Sequence, residues 1–182
     1  MTVFTIGHST RSAEDFIALL RREGVERVYD VRTFAGSRRY PHFNSDALAK
    51  RLCAEGIAYE HHPELGGRRR PTPGAPPTAW RNEGFRGYAE YMRSDSFKHA
   101  IDGLIEAGHE LPTAIMCSEA VPWRCHRTMV SDALVARGVE VRHILGAKTS
   151  EHTLTPFAVV RDGEVSYPPS ELEQPELDLG RA

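Results

Sequence analysis

At 182 residues the chain has the length of a single domain with room for a real core. Hydrophobic residues at 40% and charged residues at 26% exclude a disordered or fibrous chain, and no apolar run is long enough to span a bilayer. The formal net charge of −2 excludes a strongly basic protein overall, and Cys53, Cys117 and Cys125 are too few for a disulfide framework.

The first residues lack the basic-then-apolar pattern of a secretory leader, so a reduced, cytoplasmic protein with no membrane association is expected. Val3 to Ile6 read as a short strand ending at Gly7-His8-Ser9. Ser12 then caps a helix with Glu14 and Asp15 in its first turn, Phe16, Ile17, Leu19 and Leu20 inward, and Gly24 as its stop. Val25 to Val31 read as a second strand. A basic loop follows to Asn44, where Asn44 or Ser45 caps a helix carrying Leu48 and Leu52, with Gly56 at its end. Cys53, beside Leu52, reads as a small core residue. Ile57 to Tyr59 form a third strand. The Pro- and Gly-rich stretch from His61 to Gly84 is a loop of a length usually reserved for function.

Arg86 to Met92 and Phe97 to Ala107 read as helices, the second stopped by Gly108. Thr113 to Met116 make a fourth strand, and a helix is expected from Pro122 to Gly138, since Pro at a first helical position sacrifices no hydrogen bond. Val139 to Ile144 are a fifth strand, with a small hairpin around Asp162-Gly163. The whole predicts one α/β domain over residues 1–168: a three-layer fold with a mostly parallel five-stranded sheet and helices on both faces. An acidic, mobile tail is expected over 169–182.

Charge is unevenly distributed. Arg32 to Ser45 carry three arginines and no acid, Leu65 to Asn82 four arginines and no acid, and Arg161 to Ala182 two arginines against six acids. Basic loops holding Tyr40 and Trp80 suit an anionic small molecule or nucleic acid as partner. Open parallel sheets bind ligands at the carboxyl ends of their strands. That edge collects His8 and Ser9, Asp30 and Arg32, then Cys117 and Glu119. Cys125, His126, Arg124 and Arg127 lie in or beside the turn that follows, where helical N–H groups favour an anion and depress a thiol's pKa.

Two rival chemistries for the thiols fare badly on spacing. Seven residues separate Cys117 from Cys125 and no second close pair exists, so neither a metal nor any other cofactor is expected. A thiol-phosphatase loop needs a tight cradle of N–H groups. The six residues between Cys117 and Arg124 include Pro122 and no glycine.

Taken together, Thr5-Ile6-Gly7-His8-Ser9, Asp30-Val31-Arg32 with Pro41-His42-Phe43-Asn44, Glu64-Leu65-Gly66-Gly67, Trp80-Arg81-Asn82 with Phe85-Arg86-Gly87-Tyr88, and Cys117-Ser118-Glu119 with Cys125-His126-Arg127 are motifs. In them the chain resembles the bacterial and archaeal domain of unknown function 488 family, over roughly residues 3 to 168. It departs at Ala35 or Gly36, where proline is frequent, and at Ser118, where alanine is common. The resemblance implies a three-layer α/β domain and a bacterial cytoplasmic origin, but no reaction.

Three functions are therefore carried forward. In the first, the chain is a hydrolase or group transferase acting on a phosphorylated or nucleic-acid-derived substrate. Arg32, Arg38, Arg124 and Arg127 hold the anion, Glu119 or Asp30 is the general base, His8 carries a proton, and Cys117 is nucleophile or wall. In the second, a non-catalytic module stacks bases on Tyr40 and Trp80 while Arg68, Arg69 and Arg70 follow the phosphates. In the third, Cys117 and Cys125 form a thiol redox sensor.

Overall fold

The computed structural model describes residues 1–169; the acidic tail expected from 169 lies, beyond its first residue, outside the described residues. Five strands build the parallel part of one sheet: β1 (Thr2–Gly7), β2 (Arg27–Asp30), β3 (Ala58–His61), β4 (Thr113–Cys117) and β5 (Glu140–Ile144). A sixth, β6 (Thr149–Glu151), adds antiparallel beside β5, giving the order β3-β2-β4-β1-β5-β6. The sequence reading lacks β6 because its three polar residues show no alternation. The terminal hairpin, β7 (Val159–Arg161) and β8 (Glu164–Ser166), turns through Asp162 and Gly163 at φ 50° and 76°. Positive φ at both central residues is what a tight two-residue hairpin turn requires.

The sheet separates two apolar cores. On one side α1 (Ala13–Arg22) and α2 (Ser45–Ala54) cover Ile6, Val28, Ala114 and Met116. On the other, α3 (Glu83–Tyr91), α4 (Asp95–Glu110) and α5 (Arg127–Val135) cover Val3, Tyr29, Ile115 and Cys117. Side chains alternate across a strand, so β4 sends Ala114 and Met116 one way and Ile115 and Cys117 the other. This parity also sorts the site, placing His8 and Asp30 on the α1/α2 side and Cys117 on the α5 side.

Local signals explain most boundaries. Ser12 accepts a hydrogen bond from the N–H of Asp15, and Gly24 stands at φ 67° just past α1. Asn44 caps α2 only by position; its side chain instead accepts from Ser37 N–H at 2.6 Å, tying the basic loop back on itself.

Three expectations need correcting. The helix α4 runs through Gly108 to Glu110, and the glycine there serves close packing instead of ending the helix: a Cβ would stand 3.0 Å from Met1 Sδ and 3.1 Å from Val3 Cγ2 in β1. Cys53 is exposed on the outer face of α2 rather than buried. The segment after β4 is not one helix from Pro122. Pro122–Arg124 make a single 3₁₀ turn, Cys125 is extended at φ −141° and ψ 149°, and α5 starts only at Arg127. The extended-to-helical switch at Cys125 and His126 lets two consecutive side chains turn toward the same side. Neither a regular strand nor a regular helix does that.

Candidate active site

Past the last strand residues the chain stays paired, and this builds the back of a cleft. His8 N–H donates to Cys117 O and Ser9 N–H to Ser118 O, both at 2.9 Å, while Val31 N–H reaches Met116 O at 3.0 Å. Gly7 is required by close approach: a Cβ there would lie 1.7 Å from the carbonyl oxygen of Glu119. Ser9 then turns the chain away at φ 50°, a left-handed conformation uncommon for a non-glycine residue.

On the α1/α2 side the His8 ring stacks on Phe43 at 4.3 Å. Its Nδ1 lies 3.0 Å from Ser9 O, which can only accept, so Nδ1 carries the proton and Nε2 keeps its lone pair. Burial, with Arg32 nearby, lowers the pKa to about 4, and the ring is neutral near pH 7.

Asp30 takes a different part from the general base expected of it. It is fully buried and does not line the cleft. Its carboxylate accepts from Arg32 Nε at 2.9 Å and Nη2 at 2.6 Å, and from the Tyr59 hydroxyl at 2.7 Å. Arg32 also donates to Phe43 O at 2.8 Å. Asp30 therefore fixes Arg32 on the cleft wall, and its oxygens are already committed.

On the opposite side stand the thiols. The Sγ atoms of Cys117 and Cys125 and a ring nitrogen of His126 all lie within 4.8 Å of one another, and all three residues are buried. The neighbouring Cys117 thiol, aided by Arg127 and opposed by burial, lowers the Cys125 pKa, while Cys125 and burial push that of Cys117 well up. Of the two, Cys125 is the readier to ionise, and Cys117, expected as nucleophile or wall, the less ready. His126 Nε2 donates to Val31 O at 3.1 Å, which leaves the Nδ1 lone pair 3.5 Å from the Cys125 sulfur. Burial lowers the pKa of His126 and keeps it neutral. Gly67 makes room for the ring, since a Cβ there would lie 2.3 Å from Nδ1.

Between the two sides opens a cavity of about 770 Å³. That is the size of an ordinary small-molecule site, about 300–1,000 Å³. His8, Ser9, Arg32, Tyr40, Arg68, Cys117, Glu119, Arg124, Cys125 and His126 line it. Asp30, Arg38, Arg69, Arg70, Trp80 and Arg127 do not. Arg38 is exposed elsewhere on its loop. Arg127, expected to hold an anion, is 1% exposed; it donates to Thr5 Oγ1 at 3.3 Å and to the Glu119 carbonyl. Arg69 is folded against Tyr91, its Cζ 3.6 Å from the ring centre, and donates to the carbonyls of Gly66 and Glu64. Trp80 packs among Phe85, Phe157 and Tyr167, with centroid separations of 4.8, 4.9 and 5.4 Å.

Sequence reasoning missed Arg39, which lines the cavity where Arg38 was expected, and the part played by Gly67. The Gly66-Gly67 pair inside a long loop was the available signal for the second. Which of two adjacent arginines faces a cleft has no sequence signal in an irregular loop.

Fold and site define a three-layer α/β protein with a thiol- and arginine-lined cleft at the carboxyl edge of its parallel strands. The chain belongs to the family described as Domain of unknown function DUF488, whose sequence model matches residues 12–134. No curated protein and no solved structure matches it. Among the described residues no helix is long and apolar enough to cross a membrane.

Proposed function

We propose that the chain is an enzyme, a hydrolase or group transferase, that takes a phosphorylated or nucleic-acid-derived substrate into this cleft. One observation carries the reading: a single cavity brings four guanidiniums, Arg32, Arg39, Arg68 and Arg124, onto the same walls as Cys117, Cys125 and His126. Arg32 and Arg39 come from one loop, Arg68 and Arg124 from two others, and the three segments meet at the cavity, as binding a multiply charged anion requires. Glu119 is the one carboxylate among the lining residues, and it is exposed. It and the neutral His8 are the groups that handle protons; the thiol cluster is the reactive wall.

The non-catalytic module loses support from two particulars. Trp80 is packed among other rings, and Arg69 is engaged with Tyr91 and backbone carbonyls, so neither offers a free surface to a strand of nucleic acid. The redox sensor keeps its two neighbouring thiols, but it leaves the arginines unexplained.

The test is a turnover screen over phosphomonoesters, nucleotides and short oligonucleotides, run on the full chain and on Glu119→Gln and Cys125→Ser. The reading expects one class to be turned over, with both substitutions abolishing turnover while binding persists. No turnover of any class, with oligonucleotide binding that weakens steeply with salt and ignores Cys125→Ser, would establish the binding module instead.

A further inference from the structure

We infer that Cys117, Cys125 and His126 form a binding site for one soft divalent cation, zinc above all, with a fourth position open to the cleft. For what the ion acts on, the inference rests on the reading above; for the ion itself it rests on the three residues.

The donor set is the first argument. Two thiolates and an imidazole are ligands that zinc favours, and catalytic zinc sites take three protein ligands and leave a fourth position free. Metal–ligand bonds of about 2.3 Å to sulfur and 2.1 Å to nitrogen, at tetrahedral angles, put neighbouring donors about 3.6–3.8 Å apart. The Cys125 sulfur is 3.5 Å from His126 Nδ1, and all three donor atoms lie within 4.8 Å. An ion therefore fits with small side-chain rotations and no backbone movement.

A ligating histidine almost always donates its other ring N–H to a carboxylate or backbone carbonyl, which fixes tautomer and ring plane. His126 does this through Nε2 to Val31 O at 3.1 Å, leaving Nδ1 as the bare donor facing the sulfurs. Gly67 and the Tyr88 ring, 5.3 Å away, hold the imidazole there. A disulfide between the two thiols would need no imidazole at all, still less one with this orientation.

All three residues open on the cavity, so the fourth position faces the space lined by the arginines. An ion there would act as a Lewis acid on an oxygen of a bound anion. Chain spacing concealed the site, because Cys117 and Cys125 are joined through a 3₁₀ turn that folds back on itself.

Cobalt(II) titration of the chelator-treated full chain, with its thiols confirmed free, tests this directly. The expected result is one equivalent bound, with thiolate-to-cobalt charge-transfer absorption, strong tetrahedral d–d bands, and displacement by zinc. Cys117→Ser and Cys125→Ser should lose the charge-transfer bands, while Cys53→Ser, outside the site, should keep them. Gly67→Ala, which displaces the ring, should weaken binding by roughly 10–100-fold. No charge-transfer band in the wild-type chain, or a band that survives Cys125→Ser, overturns the inference. Inorganic phosphate binding to the metal-free chain separates this from the substrate reading. Phosphate bound without a cobalt band sinks only the metal site, and a cobalt band without phosphate affinity sinks only the substrate class.

Discussion

Past Cys125 and inside α5, Asp132 anchors a second buried polar cluster that differs from the cleft in how its atoms are matched. His152 donates to its carboxylate at 2.9 Å, Tyr167 and Thr155 hydroxyls donate at 2.7 and 2.6 Å, and Thr155 N–H adds another bond at 2.9 Å. The chain of bonds continues outward with one consistent polarity. Arg127 donates to Thr5, Thr5 to His143 Nδ1 at 2.8 Å, His143 Nε2 to His152 Nδ1 at 2.9 Å, and His152 to Asp132. Each ring nitrogen in this arrangement has one partner. The cleft cluster instead points a bare imidazole nitrogen at two sulfurs. Closed polar networks specify and stabilise a core, whereas an unmatched donor set on a cavity wall is arranged for something else to complete it.

The widest gap between the two clusters should appear in stability. Asp132→Ala strips the carboxylate from four donors and leaves buried hydroxyl and imidazole groups without partners. The expected loss is about 3–5 kcal/mol in denaturant unfolding, the range for breaking a buried charged network from one side. The cobalt spectrum of the folded fraction should be unchanged. A loss under about 1 kcal/mol would mean the network is not the closed structural unit described here.

Acid probes the same network more gently. Burial, followed by the neighbouring His152 and Arg127, lowers His143 from 6.5 to about 3. Between those values the unfolded chain binds the proton and the folded chain does not. Stability from this group is therefore complete above about pH 6.5 and falls as pH drops toward 3, by at most about 2 kcal/mol from pH 7 to pH 5. His8, lowered to about 4, acts in the same direction. Urea midpoints measured across that range check the sign; stability that rises on acidification would contradict it.

The smallest expected change is in the stability of Cys125→Ser. Serine keeps a polar group of nearly the same size beside His126 Nδ1, so unfolding should shift by less than about 1 kcal/mol. Turnover and metal binding, by contrast, should disappear. Equal losses of stability from this variant and from Asp132→Ala would erase the distinction between the clusters.

Much of the framework was readable because it is local. The Ser12 cap, the Gly24 stop, the Asp162-Gly163 turn and the apolar run of β4 each depend on residues a few positions apart. The parallel direction of the strands followed from short strand–helix alternation, and with it the placement of His8 and Cys117 at one edge; the order of the strands did not. What escaped is long-range or depends on single dihedrals. Arg127 looked like a solvent-facing guanidinium, and its burial rests on Thr5, far away in sequence. That Asp30 pairs with Arg32 two residues on is readable from the sequence; that the Tyr59 hydroxyl joins them is not. The meeting of Cys117 with Cys125 and His126 hangs on one extended residue between a 3₁₀ turn and a helix. Residue spacing is blind to that.

The seam at Gly7 has a mechanical consequence. Because the His8-Ser9 and Cys117-Ser118 backbones remain laced together past the sheet, with no room at Gly7 for even a methyl group, the imidazole wall and the sulfur wall are one stiff body. The two sides cannot hinge apart to swallow or release a guest. Any breathing of the cleft is left to the loop segments in front that carry Arg39 and Arg68, so under the proposed function that charged rim, and not the floor, would set how fast a substrate enters and leaves.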